Sequence, residues 1–219
     1  NGVCLYNPRT RQWRSFLSSY QEDKYDQNYV FISLCEVEPG VVLVGGYMSG
    51  MYRIDKRDMT PRYLSPQSIG YKYIRPDKYI RSIFRDKEGI VWAGGHYNFK
   101  GIHPKNDYIE HYSTDYPVTF ITAKDDQELW IGTINGLYKF NKELKKIQQV
   151  NFSSELGAIN TIHQANEELT YIGTHGTGLW IYNDRTKQLD NYMKDNSALL
   201  SNNIFTILPS SYPDELIIS

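Results

Sequence analysis

The chain has 219 residues, a formal net charge of -1 at pH 7 and 40% hydrophobic residues, enough to bury a sizeable core as one large all-β domain or as two smaller ones. The balanced charge excludes a nucleic-acid footprint, which needs a basic excess on one face; no apolar run approaches the ~18 residues of a membrane span, and the first residues lack the charged-then-apolar pattern of a signal peptide. The informative bias is nineteen tyrosines beside sixteen glycines, because tyrosine favours half-buried strands and glycine supplies their turns.

In chain order, "NGVCLYN" (1–7) reads as the end of a hairpin, followed by a strand within "RQWRSFLSSY" (11–20). Then come a strand and acidic turn, "YVFISLCEVEPG" (29–40), the hairpin "VVLVGGYMSGMYRI" (41–54) and a further strand in "DMTPRYL" (58–64). The same order returns as "YIRSIFRDKEG" (79–89), "IVWAGGHYNFKGIH" (90–103) and "NDYIEHY" (106–112). It returns again as "FITAKDDQE" (120–128), "LWIGTINGLYKF" (129–140) and "KKIQQVNF" (145–152), and once more as "AINTIHQANEE" (158–168), "LTYIGTHGTGLWIY" (169–182) and "TKQLDNY" (186–192). "NNIFTILPSSYPDE" (202–215) and "ELIIS" (215–219) begin another unit. The first glycine of each hairpin anchors the repeat at Gly45, Gly94, Gly132 and Gly173, with Ser219 in the matching place, giving spacings of 49, 38, 41 and 46 residues.

Four short strands per period of about 40 to 45 residues is the arithmetic of β-propeller blades, and no long helical periodicity competes with it. The predicted fold is therefore all-β: a β-propeller of four-stranded antiparallel blades over 1–219, about five blades' worth, with periods ending near 45, 94, 132, 173 and 219. Such a blade has two apolar faces, so Trp92, Trp130, Ile131 and Tyr171 are expected to be buried by the next blade. The glycine pairs are expected to turn the second strand into the third, with Asn135-Gly136 supplying positive φ. Cys4 and Cys35 lie in apolar alternating runs, which predicts buried thiols, free or joined in a disulfide.

"YIRSIFRDKEGIVWAGG", "FITAKDDQELWIGTINGLYKFN" and "LSNNIFTIL" resemble the two-component regulator propeller repeat: an I-x-x-I strand, an acidic turn, L-W-I-G-T, then N-G-L-Y. The resemblance covers nearly the whole chain, is strong around Gly94, Gly132 and Gly173, and is degraded around Gly45 and in the last repeat. It implies the periplasmic sensor region of a hybrid two-component system, of the kind found in Bacteroidetes that detect glycan fragments. It also implies a ring of seven blades of which this chain is a part; a closed ring of five, with Val3 to Tyr6 pairing with Leu216 to Ile218, is the other arrangement. Any kinase activity would lie in domains outside this chain.

Chemistry-bearing motifs are sparse. "GTHGTG" (173–178) lacks the lysine and helix of a phosphate-binding loop. His96, His103, His111, His163 and His175 show no metal-ligand spacing, no G-x-S-x-G elbow occurs, and Asp125-Asp126 and Glu167-Glu168 fall in turns. No catalytic residue, metal or cofactor is expected. The predicted partner is an oligosaccharide or other small ligand, with a homodimer possible through the full-length protein and neither nucleic acid nor membrane bound by this chain. Loops between second and third strands and between blades gather Tyr73, Arg75, Lys78, His96, Tyr97, Asn98, Lys100, Tyr116 and His175. Rings beside amides and cations suit sugars, whose ring faces stack while their hydroxyls take hydrogen bonds. The competing classes are a propeller-type glycan lyase or hydrolase, which would need converging titratable groups, and a protein-binding or dimerisation scaffold, which would need a flat apolar patch.

Overall fold

The alternation of apolar and polar residues resolves into six antiparallel sheets in a computed structural model, which describes residues 2–16, 30–64, 78–103, 108–212 and 215–219. A hairpin of β1 (Val3–Asn7) and β2 (Gln12–Phe16) comes first. Blade one comprises β3 (Val30–Glu38), β4 (Val41–Tyr47), β5 (Gly50–Asp55) and β6 (Pro61–Tyr63). Blade two comprises β7 (Ser82–Arg85), β8 (Val91–Gly94), β9 (Asn98–His103) and β10 (Tyr108–Ser113). Blade three comprises β11 (Val118–Ala123), β12 (Glu128–Thr133), β13 (Gly136–Asn141) and β14 (Lys146–Gln149), and a single helical turn, α1 (Ser153–Leu156), links it to the next. Blade four comprises β15 (Ile159–Gln164), β16 (Leu169–Thr174), β17 (Leu179–Asn183) and β18 (Leu189–Tyr192), and the hairpin of β19 (Ile207–Pro209) and β20 (Leu216–Ile218) ends the chain. Strand order within every sheet follows the sequence, so each repeat is one meander. The chain divides into two compact units, Asn1–Tyr112 and Ser113–Ser219.

Each unit buries the faces that a lone blade would expose. In the first, Val41, Leu43 and Met51 of blade one pack with Ile80, Ile83, Val91 and Ala93 of blade two. In the second, Trp130 and Leu137 of blade three pack with Leu156, Ile159, Ile162, Ile172 and Tyr182. Trp92 and Trp130 are both 0% exposed, as the repeat predicts.

The anchor glycines correct the sequence reading. Gly45, Gly132 and Gly173 lie inside β4, β12 and β16, not in the turns. A Cβ would stand 2.3 Å from Ile80 Cγ2 at Gly45, 2.8 Å from Ile159 Cγ2 at Gly132 and 2.7 Å from Ile204 Cγ2 at Gly173. Those isoleucines hold equivalent places at the entry of the following repeat, so the missing side chain is what lets successive inner strands approach. Positive φ is needed later, at Gly136 (φ 98), where a Cβ would also strike Ser153 Oγ.

The acidic turns act as local caps. Asp125 Oδ1 accepts from the Gln127 and Glu128 amides at 2.8 and 2.7 Å, Asn166 does the same for Glu168 and Leu169, and Asp86 accepts from Ile90. Beside Asp125, the Lys124 side chain is only 10% exposed and reaches Asp125, Glu128 and Asp184 at 3.0 to 3.2 Å. Burial opposes its charge, but the carboxylates outweigh burial and push the Lys124 ammonium above its ordinary value. Burial likewise works against the Asp184 carboxylate, yet Lys187 and Lys124 hold it down at about 2.

The cysteine reading needs one correction: Cys4 is exposed, with Sγ 3.6 Å from Ser15 Oγ, because β1 turns that position outward. Cys35 is half-buried, and both are free. Among the described residues no helix is long and apolar enough to cross a membrane.

Candidate functional site

The loops singled out from the sequence meet in the first unit through three backbone hydrogen bonds. The Gly50 amide donates to the Lys78 carbonyl at 3.1 Å, Ile80 to Gly46 at 3.0 Å and Arg81 to Gly94 at 3.0 Å. The segment from Lys78 to Arg81 is thereby laid between the β4–β5 turn of blade one and the end of β8 in blade two. The side chains there form a continuous run of rings. Tyr47 meets Tyr79 edge-on at 4.9 Å between centroids, Tyr79 meets His96 edge-on at 4.9 Å, and His96 leans on Tyr97 at 4.5 Å. The Arg81 guanidinium sits 5.7 Å from the Tyr47 centroid, where ring quadrupole and cation attract.

The ends of the run face solvent, with Tyr47 41% and Tyr97 52% exposed, and Lys78, which precedes Tyr79 in the chain, is exposed as well. Tyr97 stands in the left-handed region (φ 76) inside a tight turn closed by the Gly95 amide donating to the Asn98 carbonyl at 2.8 Å. Met48 takes the same unusual conformation (φ 59) in the β4–β5 turn. A tyrosine and a methionine held where glycine is the usual occupant carry backbone strain, which concentrates at functional sites. The Asn98 Oδ1 atom is buried and, among the described residues, without a hydrogen-bond partner, an acceptor left over in the same turn.

Of the residues predicted from sequence, the structure brings Lys78, His96 and Tyr97 together. Asn98 begins strand β9, and Lys100 lies within it opposite Ala93, so neither is a mid-loop residue as the reading of 96–101 had them. Tyr116 and His175 belong to the second unit. Tyr116 is half-buried before β11, its carbonyl accepting from Thr114 Oγ1 at 2.8 Å. His175 is exposed in the β16–β17 turn, bridged to Asn203. Tyr73 and Arg75 lie outside the described residues, as does all of 65–77. Tyr47, Tyr79 and Arg81 were not picked out from sequence. The signal available was their adjacency to the turns, since Tyr47 opens "YMSG" and Tyr79 closes the inter-blade connection.

The arrangement can stack planar or sugar-like ring faces and donate hydrogen bonds from Lys78 and the tyrosine hydroxyls. Among the described residues, no cluster of three or more histidine, cysteine, aspartate or glutamate side chains could hold a metal.

Residues 75–97, which include part of this turn region, match the family model described as two component regulator propeller. No curated protein matches the chain. Among solved structures it is similar to the extracellular domain of a hybrid two component system from B. thetaiotaomicron, at 16% identity and TM-score 0.77, covering 99% of this chain and 29% of that one. The extracellular domain of a second such system from the same organism gives 18% identity and TM-score 0.70 over 96% of this chain and 28% of that one. PorZ, a surface component of the type-IX secretion system of Porphyromonas gingivalis, gives 12% identity and TM-score 0.67 over 94% and 34%. The fold is that of the propeller domains of these proteins, and the chain spans about a third or less of their length.

Proposed function

We propose that this chain is the ligand-reading propeller of an extracytoplasmic sensor in a hybrid two-component system, and that it holds a soluble oligosaccharide without altering it chemically. The observation that carries the reading is the solvent-facing run Tyr47–Tyr79–His96–Tyr97 with Arg81 at its side. A sensor must release its ligand unchanged, so affinity comes from stacking and hydrogen bonds, in the micromolar range or about 8 kcal/mol in all. The repeat match at 75–97 and the likeness to extracellular sensor domains support the signalling context.

Isothermal calorimetry of the chain against a panel of neutral and acidic oligosaccharides tests it. Tyr97→Ala and Tyr47→Ala should each weaken binding at least about tenfold, or 1.4 kcal/mol, with the ligand recovered intact. Full binding by both variants would move the site elsewhere, and a cleaved ligand would move the chain to the enzyme class.

A further inference from the structure

The charges of the first unit are sorted by end. Between Val30 and His103 the described acids are Glu36, Glu38, Asp55, Asp58, Asp86 and Glu88, and all of them stand at or beside the β3–β4, β5–β6 and β7–β8 turns. Most are engaged there: Glu36 pairs with Lys56, Asp55 with Arg53 and Arg57, Asp58 with Arg62, and Asp86 accepts from Trp92. The opposite end, where the β4–β5 turn, the segment from Lys78 to Arg81 and the β8–β9 turn meet, carries Lys78 and Arg81 and, among the described residues, no carboxylate. A mouth of that sign attracts anions.

Arg81 is placed there by the fold. Its amide donates to Gly94 and that of Ile80 to Gly46, so Arg81 falls where the chain steps from blade one into blade two. The equivalent positions of the other repeats hold Ile32, Thr119, Asn160 and Phe205, none of them charged. The Arg81 side chain is half-buried and lies over the Tyr47 ring. Beyond that ring contact it has no hydrogen bond or ion pair among the described residues. Arg53, the other described arginine that is half-buried, differs, since Asp55 faces it at 3.6 Å. A guanidinium holds its N–H donors in one plane, a fork that matches two oxygens of a carboxylate, sulfate or phosphate. Partial burial without a counter-ion costs solvation, which such an oxyanion returns.

We infer that Arg81 determines the specificity of the ring-run site: the ligand read there carries an oxyanion, a carboxylate or a sulfate or phosphate ester, which docks on Arg81 while a ring face packs along Tyr47 and Tyr79. The inference rests on the ring run being the ligand site and adds the charge of the ligand and the residue that reads it. An arginine that only propped Tyr47 would affect charged and uncharged ligands alike, whereas one that takes an oxyanion affects the charged ones alone.

The test is a calorimetric titration of the full chain, at fixed ionic strength, with β-naphthoate, β-naphthalenesulfonate and the uncharged β-naphthylmethanol, which share a flat ring face and differ in the oxyanion. Both anions should bind at least about tenfold more tightly than the alcohol, and Arg81→Gln should remove that preference by weakening the anions alone. Arg85→Gln, the same loss of charge at an exposed position at the far end of β7, should leave all three unchanged. The inference is overturned if the parent binds alcohol and anions alike, if no probe gives heat at millimolar concentration, if Arg81→Gln weakens all three equally, or if Arg85→Gln erases the preference as fully as Arg81→Gln does. Tyr47→Ala separates this result from the ring run itself and should weaken all three probes. A preference lost in Arg81→Gln, with binding untouched by Tyr47→Ala, would keep the oxyanion site and sink the ring-run reading. Binding weakened by Tyr47→Ala, with the preference untouched by Arg81→Gln, would keep the ring run and sink the oxyanion site.

Discussion

Trp92 and Trp130 occupy the same position of successive repeats and are equally buried, but they are tied in opposite directions. Trp92 donates its Nε1–H at 2.8 Å to Asp86 of its own blade, six residues earlier. Trp130 donates at 2.7 Å to Gln164 of the following blade. The cause is one step in sequence: six residues before Trp130 stands Lys124, a donor, which lies 5.9 Å from the Trp130 centroid and reaches on to Asp184 in blade four. Changing an acceptor to a cation at this place converts a knot within one blade into a polar joint between two. The repeat fixes where the tryptophan goes; its neighbours decide what it holds.

The comparison breaks most visibly by truncation. Trp92→Ala and Trp130→Ala should each lower unfolding stability by about 3 to 5 kcal/mol, measured by denaturant melts; a loss below about 1 kcal/mol for either would remove its ring from the core. Gly132→Ala comes next, because its new Cβ would press on Ile159, and a cost of about 1 to 3 kcal/mol is expected from such overpacking.

Trp→Phe sharpens the contrast, since it deletes the N–H and keeps most of the bulk. In Trp92→Phe the buried Asp86 carboxylate loses a donor, at a cost of about 1 to 3 kcal/mol. In Trp130→Phe, Gln164 Oε1 still accepts from Thr170 Oγ1 at 2.8 Å. Trp92→Phe should therefore be the more destabilising of the two, and the reverse order would contradict the assignment of partners.

The joint between blades three and four also has a pH signature. Asp184 is held at about 2, below its ordinary 3.8, so its contribution is fully present above about pH 4 and is lost as pH falls from there toward 2. Asp184→Asn should flatten the acid limb of the stability profile in that window. An unchanged limb would mean that Lys124 and Lys187 do not stabilise this carboxylate. The smallest effect is at Tyr97, whose left-handed backbone costs on the order of 1 kcal/mol. Tyr97→Gly should leave melting unchanged or raise it slightly while abolishing ligand binding.

Much of this architecture is legible in the sequence because each repeat restates it. The alternation in "LWIGTINGLYKF" gives β12 and β13, and the acids at Asp86 and Asp125 announce the turns they cap. What escapes are properties that depend on a neighbouring blade. Gly132 reads as a turn residue until Ile159 is seen against it. Tyr79 and Arg81 read as a connection until backbone bonds to Gly46 and Gly94 carry their side chains to Tyr47 and His96. Asn98 and Lys100 read as loop because Gly95 and Gly101 flank "HYNFK" as turn residues would, whereas Phe99 and the pairing of β9 with β8 draw it into the sheet.

The central claim is that the ring run of the first unit reads a ligand and releases it unaltered. Chemical footprinting tests it most directly: the nitration rates of Tyr47 and Tyr97 are measured by mass spectrometry with and without a saturating oligosaccharide found by calorimetry, and the ligand is recovered and weighed in the same experiment. The account predicts that both tyrosines are protected several-fold and that the ligand mass is unchanged. Saturated binding with both tyrosines still nitrated at their free rates, or a ligand returned in fragments, would contradict it.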